Sequence, residues 1–267
     1  MGTQAGESTP SIQVRRDGAT GVVTISNPAR RNAFTPDMRR ALTAALNELA
    51  VDSAVRAIVL RGDGEHFCSG ADVSSPSGAA PRTLVQHREN NKEINRLTQA
   101  LAAGPKPVIA AVEGAAAGAG MGMVCACDVI VAARNAKLVP LFSRLGLVPE
   151  IGILYTLAQR IGVARARRLL MSSRALGAEE AYAMGIVDEL VEPGQALARA
   201  LEISREYEDC VPLSVALIKE AYAAGVPNIA EAGRIEADFV PLLARTDDMR
   251  EGMAASREKR KPKFTGY

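Results

Sequence analysis

The stretch Pro107-Val-Ile-Ala-Ala-Val112, followed by Gly114-Ala-Ala-Ala-Gly-Ala-Gly-Met-Gly122, decides the fold of this 267-residue chain. The first segment is an uninterrupted apolar run of strand length, which is typical of a strand buried on both faces. The second segment consists of small residues, which predict a tight turn at the strand exit and a closely packed helix start. Together they predict one strand-turn-helix unit of an α/β protein.

Further strands and helices extend this pattern in both directions. Two alternating segments at 12–15 and 22–25 predict a β-hairpin. Pro36 opens a run with apolar residues at helical spacing, and apolar runs at 57–60 and 128–132 predict two more buried strands. Because strands alternate with helices, we expect an α/β fold whose helices pack against parallel strands.

The last third of the chain has a different pattern. The strand signal stops after Val191, and helical runs with breaks at Pro212 and at 225–227 follow. We therefore predict a core at residues 1–194 that carries the functional site. Residues 195–267 are predicted to form a separate helical C-terminal region.

Composition excludes several classes of protein. The chain is 48% hydrophobic and 23% charged with a net charge of +2, which is typical of a globular protein and not of a disordered one. The near balance of charges gives no sign of nucleic-acid binding. No apolar run reaches the roughly 18 residues that a membrane-spanning helix needs. No secretory signal is visible in residues 1–10. We expect a soluble, cytoplasmic protein.

The four cysteines and two histidines do not form a recognisable metal motif. Cys125 and Cys127 are spaced C-x-C, and the histidines His66 and His87 lie far from them in sequence. Reduced, buried thiols are the better interpretation, and no metal is expected.

The glycine-rich segment 114–122 does not match a nucleotide-binding motif. Counted from Gly118, the third glycine of a dinucleotide fingerprint would fall on Met123, and no lysine follows as a phosphate loop requires. Two interpretations remain open at this point. The small residues allow close helix packing, or they allow a ligand oxygen to approach backbone N–H groups at a helix start.

A second segment of small residues, Phe67-Cys-Ser-Gly-Ala-Asp72, also follows a predicted strand. Cys68 and Ser69 are possible nucleophiles, and His66 is their only near histidine in sequence. Nothing else in the chain suggests a catalytic triad, so a peptidase is disfavoured.

These segments resemble the crotonase (enoyl-CoA hydratase/isomerase) superfamily. The likeness rests on segment 67–72, on 105–114, on Gly118-Ala-Gly120, and on Cys127-Asp128. It continues through Gly177-Ala-Glu-Glu-Ala-Tyr-Ala-Met-Gly-Ile-Val187 and the C-terminal segments Glu251-Gly-Met253 and Glu258-Lys-Arg-Lys-Pro-Lys-Phe264. It covers almost the whole chain in order.

The resemblance implies a spiral of ββα units, a helical C-terminal region that forms a homotrimer or hexamer, and an acyl-CoA thioester as substrate. It assigns the oxyanion hole to the backbone N–H groups of Ala71 and Ala119. It assigns Lys259 to the CoA phosphates of a neighbouring subunit, although the aromatic residue that often stands three positions earlier is Ser256 here. The residues that it implies near CoA are Arg30, Ala33, Ala71, Asp72 and Val73.

The chain departs from the hydratases of this family at two positions. A hydratase uses two carboxylates to orient and activate water. The positions that match them by the family's pattern are Gly122 and Phe142. Neither residue can transfer a proton, so hydratase chemistry is disfavoured. We expect both residues to line the acyl site, where the missing acid at Gly122 would leave room for a bulkier acyl group.

One acid remains in this region, Glu150. Taken alone, its position indicates a glutamate at a helix N-terminus, where it would interact favourably with the helix dipole, since Pro149 precedes a helical run. The resemblance implies a second role, because several isomerases of the superfamily have a lone acid here. A double-bond shift in an enoyl-CoA needs one base that removes an α-proton and returns it at the γ-carbon.

We therefore predict an enoyl-CoA isomerase with Glu150 as acid/base, whose pKa apolar neighbours such as Ile151, Leu154 and Phe142 would raise. No cofactor is expected beyond the CoA of the substrate. The alternatives are an enoyl-CoA hydratase and a non-catalytic acyl-CoA-binding relative.

Overall fold

The structure is a computed structural model that describes residues 9–72 and 83–266. Val73, which was predicted near CoA, lies outside the described residues. Its strands, numbered in chain order, are β1 (Ser11–Asp17), β2 (Thr20–Ser26), β3 (Ala57–Gly62), β4 (Val108–Val112), β5 (Ala115–Ala117), β6 (Val129–Ala133), β7 (Lys137–Val139), β8 (Leu176–Gly177) and β9 (Glu189–Val191). Its helices are α1 (Pro36–Val51), α2 (Leu84–Ala102), α3 (Ala119–Ala126), α4 (Ile153–Ile161), α5 (Val163–Ser172), α6 (Ala178–Ala183), α7 (Ala196–Glu206), α8 (Pro212–Ala224), α9 (Ile229–Leu243) and α10 (Asp247–Glu258).

The strands form two sheets. The larger sheet has the order β1-β2-β3-β4-β6-β9, in which β1 and β2 are antiparallel and the remaining pairs are parallel. The smaller sheet has the order β5-β7-β8. The predicted hairpin and the predicted parallel arrangement are both confirmed.

Strand β4 is buried on both faces, as its apolar run predicts. Val108, Ala110 and Val112 belong to a core that α1 to α4 build on one face of the sheet. Ile109 and Ala111 belong to a second core on the opposite face. A strand covered by helices on both sides has no polar face, which explains the absence of alternation in its sequence.

Helix α1 has the cap and the buried face that its sequence pattern predicts. Thr35 caps it by accepting a hydrogen bond from the N–H of Met38, and Pro36 occupies its first position. Its buried residues are those that the spacing predicted, namely Met38, Leu42, Ala45, Leu46 and Leu49.

The C-terminal helices differ in how they pack. Helix α7 begins after residue 194, yet its residues Ala196, Ala200 and Ile203 form the second core with the sheet. By packing, α7 therefore belongs with the sheet. Helix α9 has no buried residue, although it carries apolar side chains such as Val240. Within the described residues, no helix is long and apolar enough to cross a membrane.

Candidate active site

The turn that follows β3 lies beside β5 and the turn that leads from β5 into α3. The N–H of Cys68 donates to Ala115 O at 3.0 Å, and the N–H of Ala117 donates to Cys68 O at 2.9 Å. Gly70 adopts φ +103°, and a β-carbon there would lie only 3.1 Å from Ala117 O. The turn that holds Gly70 and Ala71 therefore lies directly beside the turn that leads into α3.

The two predicted oxyanion donors belong to these adjacent turns. Ala119 is the first residue of α3. Gly118, the N-cap of this helix, has φ +49°, a conformation that favours glycine. Within residues 9–72 and 83–266, neither the N–H of Ala71 nor that of Ala119 donates to a protein acceptor. The positive end of the α3 dipole adds to the donor at Ala119. Such an arrangement can stabilise negative charge on a substrate oxygen.

The loop before α1 holds Ala71 in place. The N–H of Phe34 donates to Gly70 O at 2.8 Å, and the N–H of Asp72 donates to Phe34 O at 3.1 Å. These two hydrogen bonds bracket Ala71 on both sides. They fix its backbone without using its own N–H.

Two buried asparagines support that loop. Asn32 has φ +57° and donates through its side chain to Asp63 O and His66 O, at 2.8 and 2.6 Å. Asn27 donates from its backbone to Asn32 Oδ1 at 2.9 Å. Neither asparagine belongs to a motif that is visible in the sequence. Their only signal is the presence of asparagines between a strand and a helix, and burial is what reveals their role.

The residues predicted near CoA lie together as far as the structure describes them. Arg30 forms an ion pair with Asp72 at 3.2 Å, with the carboxylate almost buried and the guanidinium half exposed. Ala33 is buried beside them, and its carbonyl accepts a hydrogen bond from Asn27. Their contact with CoA remains a prediction.

Glu150 lies in a turn that packs against the start of α3. A β-carbon on Gly122 would lie 2.9 Å from Ile151 Cβ and 3.2 Å from Glu150 O. Gly122 in turn donates its N–H to Gly118 O, within the first turn after Ala119. Ile151 and the Glu150 backbone therefore occupy the space next to Gly122 that a side chain would need, so the glycine does not leave that space open for a bulkier acyl group. Contact of Gly122 with the acyl group remains a prediction.

The backbone of this turn is unusual. Ile151 adopts φ +56°, a conformation that is rare for a β-branched residue, and Gly152 follows with φ +66°. A β-carbon on Gly152 would lie 2.7 Å from Thr98 Cγ2 of α2. The turn is therefore held between α2 and α3, which together can sustain such a strained conformation.

The carboxyl group of Glu150 is half-buried. Burial raises its pKa, and the nearby Arg39 guanidinium opposes that rise without cancelling it. Arg39 is held by a 2.8 Å hydrogen bond to Asn90 of α2. Ile151 is buried as expected, but Leu154 is 57% exposed and faces solvent, so its predicted part in the desolvation is wrong.

Glu150 is not a residue of the following helix. Helix α4 begins at Ile153 with Gly152 as its N-cap, and its first turn contains no acidic residue. The interpretation of Glu150 as a helix N-terminal glutamate therefore lacks support. Phe142, the other position at which a hydratase acid is missing, is buried in the core.

The possible nucleophiles of the first turn are engaged in structure. Cys68 is buried, and burial raises the pKa of its thiol to about 12. The Ser69 hydroxyl donates to Arg30 O at 3.1 Å, and His66 Nδ1 accepts from the N–H of Ala115. These contacts do not form a nucleophile activated by a histidine, so a peptidase remains disfavoured.

The remaining predicted residue, Lys259, lies at the end of α10. It is exposed and has φ +55°. Within the described residues its side chain forms no hydrogen bond or ion pair, and its role toward a neighbouring subunit remains a prediction. Across 9–72 and 83–266, no group of three or more His, Cys, Asp or Glu residues could hold a metal ion.

Comparison with known proteins decides the family. The sequence model described as Enoyl-CoA hydratase/isomerase matches residues 15–267. The chain belongs to the enoyl-CoA hydratase/isomerase family. The resemblance to the crotonase superfamily is thereby confirmed over nearly the whole chain.

Relatives of this family member carry the names of both activities. The 1,2-epoxyphenylacetyl-CoA isomerase of Escherichia coli (strain K12) is 34% identical over 91% of this chain and 94% of its own length. The short-chain-enoyl-CoA hydratase of Clostridium acetobutylicum is 31% identical over 94% of this chain and 96% of its own length. The chain is therefore an enzyme of this family, an enoyl-CoA isomerase or hydratase.

The fold of this enoyl-CoA hydratase/isomerase family member agrees with solved structures. An enoyl-CoA hydratase from Polaromonas sp. JS666 superimposes with a TM-score of 0.88 at 32% identity. The match covers 95% of this chain and 99% of that one. The predicted crotonase-like α/β fold with C-terminal helices is confirmed.

Proposed function

We propose that this enzyme shifts a double bond in an enoyl-CoA thioester, with Glu150 as its single acid/base. The observation that carries the proposal is the packing of the Glu150 turn on Gly122, one helical turn from the N–H of Ala119. This packing supports the proposal because it holds the turn that carries Glu150 against the helix that begins at Ala119. Gly122 and Phe142 supply no second carboxylate for activating water.

The reaction follows from these groups. The N–H groups of Ala71 and Ala119 bind the thioester oxygen, and their hydrogen bonds strengthen as it gains negative charge in the enolate. Glu150 removes a proton from the α-carbon and returns it at the γ-carbon, so that the carboxylate is regenerated. The raised pKa of Glu150 brings its proton affinity closer to that of the reacting carbon, which favours transfer in both directions.

The deciding experiment compares the wild type with Glu150→Gln on a panel of enoyl-CoA esters, with hydration and double-bond migration followed separately. The variant should lose about 10²- to 10⁴-fold in migration rate, the range expected for a general base. Affinity for the CoA ester should change little. Asp37→Asn, an exposed acid at the start of α1, is the matched control and should leave the rate unchanged. A Glu150→Gln enzyme at the wild-type rate would contradict the proposal.

Hydration is the second candidate, because the relative from Clostridium acetobutylicum carries that name. The same panel distinguishes the two activities, since hydration removes the conjugated double bond and migration preserves the double bond. The name of the relative from Escherichia coli supports including ring-containing acyl groups in the panel. Wild-type hydration of crotonyl-CoA that exceeds migration would favour the hydratase.

We further propose that the C-terminal helices assemble the enzyme into a homotrimer or hexamer in which Lys259 contacts the CoA phosphates of a neighbouring subunit. Support comes from the unburied apolar side chains of α9, among them Ile229 and Val240. Val240→Glu should lower the mass measured by light scattering, whereas Val51→Glu, at an even more exposed position on α1, should not. A monomeric wild type at micromolar concentration would contradict this.

No metal, nucleotide or flavin takes part in the proposed reaction. The sequence offers no phosphate loop, and the enolate is stabilised by backbone N–H groups alone. Activity should therefore survive exhaustive treatment with a chelator. Loss of activity that a metal ion restores would argue against this part of the proposal.

A further inference from the structure

Lys219 of α8 carries a buried ammonium group that the proposed reaction does not use. Only 6% of its side chain is exposed. Its Nζ donates to Leu101 O at 2.8 Å, to Lys106 O at 2.9 Å and to Asp128 Oδ2 at 2.6 Å. All three N–H donors of the ammonium are thus satisfied, which is the condition for keeping a charge in a protein interior.

Two of the three acceptors lie at the C-terminal ends of the two helices that hold the Glu150 turn. Leu101 belongs to the last turn of α2, one turn beyond Thr98, which packs on Gly152. Asp128 follows the C-terminal end of α3, and its Oδ2 also accepts the N–H of Val108 at 2.7 Å. Lys219 therefore joins α8 to α2, to α3 and to the start of β4.

Helix α8 is also linked to the Glu150 turn through Tyr155 of α4. The Tyr155 hydroxyl, on the first turn of α4, donates to Tyr222 O of α8 at 3.2 Å. Tyr155 donates its backbone N–H to Gly152 O, so it is bonded to the turn itself. Lys219 and Tyr222 lie one helical turn apart, so the same part of α8 is anchored by Lys219 and contacts α4, the helix that follows Glu150.

Apolar packing alone does not fix α8 in this position. A cavity of about 850 Å³ lies between α8 and α4, lined by Gly152, Tyr155, Lys219 and Tyr222 among others. The described residues of α8 that are buried are Leu217 and Lys219. Residues 212–216 of α8 are only half-buried, so its apolar packing is shallow, whereas an ammonium with three directed hydrogen bonds favours a single register.

We propose that Lys219 is a positioning residue that sets the register of α8 and, through the Tyr155–Tyr222 contact, the orientation of the Glu150 turn. The inference rests on the proposed function of Glu150. It assigns the buried ion pair a role in catalysis, although Lys219 touches neither the substrate nor the reacting atoms. The expected defect is therefore in kcat, with KM for the CoA ester preserved.

The test compares four variants for folding, by circular dichroism and thermal unfolding, and for kcat and KM of double-bond migration. Lys219→Met leaves the Asp128 carboxylate without its partner and is the variant that can fail to fold. The double variant Lys219→Met/Asp128→Asn removes both charges and keeps an acceptor for the N–H of Val108. Tyr155→Phe deletes only the hydroxyl, on a side chain that is 43% exposed. Leu217→Ala is the matched control, since it destabilises α8 but leaves the bonds of Lys219.

In the folded double variant we expect kcat to fall by about 10²-fold, the cost of a small misplacement of a catalytic group, with KM unchanged. Tyr155→Phe should change kcat in the same direction by less. Leu217→Ala should keep the wild-type kcat despite its lower melting temperature. The proposal is overturned if the folded double variant keeps the wild-type kcat. If both Lys219 variants fail to fold, a wild-type kcat in Tyr155→Phe overturns it.

Glu150→Gln, measured in the same assay, separates this inference from the proposed function. If Glu150→Gln is inactive while Tyr155→Phe and the double variant are fully active, only the role of Lys219 fails. If Glu150→Gln keeps the wild-type rate, the proposed function fails, whatever the Lys219 variants do.

Discussion

Gly122 approaches Ile151 so closely that a β-carbon on the glycine would lie 2.9 Å from the β-carbon of the isoleucine. Real β-carbons do not come this near one another, so the glycine is what allows the Glu150 turn to rest on α3. The resemblance matches Gly122 to a hydratase acid, and here the glycine packs against the turn that carries Glu150. The same contact leaves no space for a side chain at position 122 and supports the Glu150 turn.

This contact predicts the effect of Gly122→Ala. Alanine improves helix propensity by about 0.5–1 kcal/mol, but overpacking against Ile151 should cost about 1–3 kcal/mol. Urea unfolding should therefore show a net loss of stability, together with a lower migration rate as the turn is displaced. Gly233→Ala on α9 is the control, because no atom lies within 4 Å of its new β-carbon. An unchanged rate in a stable Gly122→Ala enzyme would contradict the account.

A second prediction concerns the donor at Ala119. Proline is tolerated at the first position of a helix, where its missing N–H has no intrahelical partner. Ala119→Pro should therefore fold, since Gly118 before it has the mirror-image extended conformation that glycine can adopt. Without the N–H, kcat/KM should fall by about 10²- to 10³-fold, the usual effect of removing an oxyanion donor. Ala119→Gly, which keeps the N–H, serves as control and should retain most of the activity.

The sequence was most informative where residues repeat at a regular spacing or pack on both faces. Met38 and Leu42 of α1 and the apolar run of β4 were interpreted correctly, because burial imposes a period that the chain displays directly. The two turns at Gly70 and Gly118 were also recognisable, since small residues permit close approach.

The sequence was least informative where two distant segments touch. Nothing in the sequence near Gly122 shows that Ile151 fills the adjacent space, and nothing near Glu150 shows the charge of Arg39. Asn32 stabilises the loop beside Ala71 through carbonyl groups more than 30 positions away. Such contacts depend on the tertiary fold, which a local pattern does not encode.

The raised pKa of Glu150 predicts how its removal changes stability with pH. The folded state favours the protonated carboxyl more than the unfolded state does, because burial penalises the charge. Below the unfolded pKa both states are protonated and Glu150 costs nothing. As the pH rises from the pKa of Glu150 in the unfolded state to its pKa in the folded state, the unfolded state binds fewer protons than the folded state. The free energy of unfolding therefore falls over this range.

Glu150→Gln should therefore be more stable than the wild type at neutral pH, and this advantage should shrink as the solution is acidified. Denaturant unfolding at several pH values measures the difference. A variant that is less stable than the wild type at neutral pH would mean that the carboxylate is stabilised in the folded protein, contrary to its burial.

The same carboxyl group predicts the pH dependence of the rate, and Arg39 provides the means to change it. The base must be ionised, so the rate should fall as pH decreases through the raised pKa of Glu150. Arg39→Met removes the positive charge that favours ionisation, which should raise that pKa further and move the acid limb of the profile to higher pH. Arg39→Lys keeps a positive charge and should leave the limb close to that of the wild type.

The control for Arg39→Met is Arg40→Met on the same helix, since Arg40 is exposed and pairs with Asp37. It changes the net charge equally but lies outside the site, so the acid limb should not move. A mere loss of stability in Arg39→Met would lower the rate at all pH values and leave the midpoint in place. A shift toward lower pH would mean that burial does not dominate at Glu150, and it would remove the electrostatic basis for Glu150 as the base.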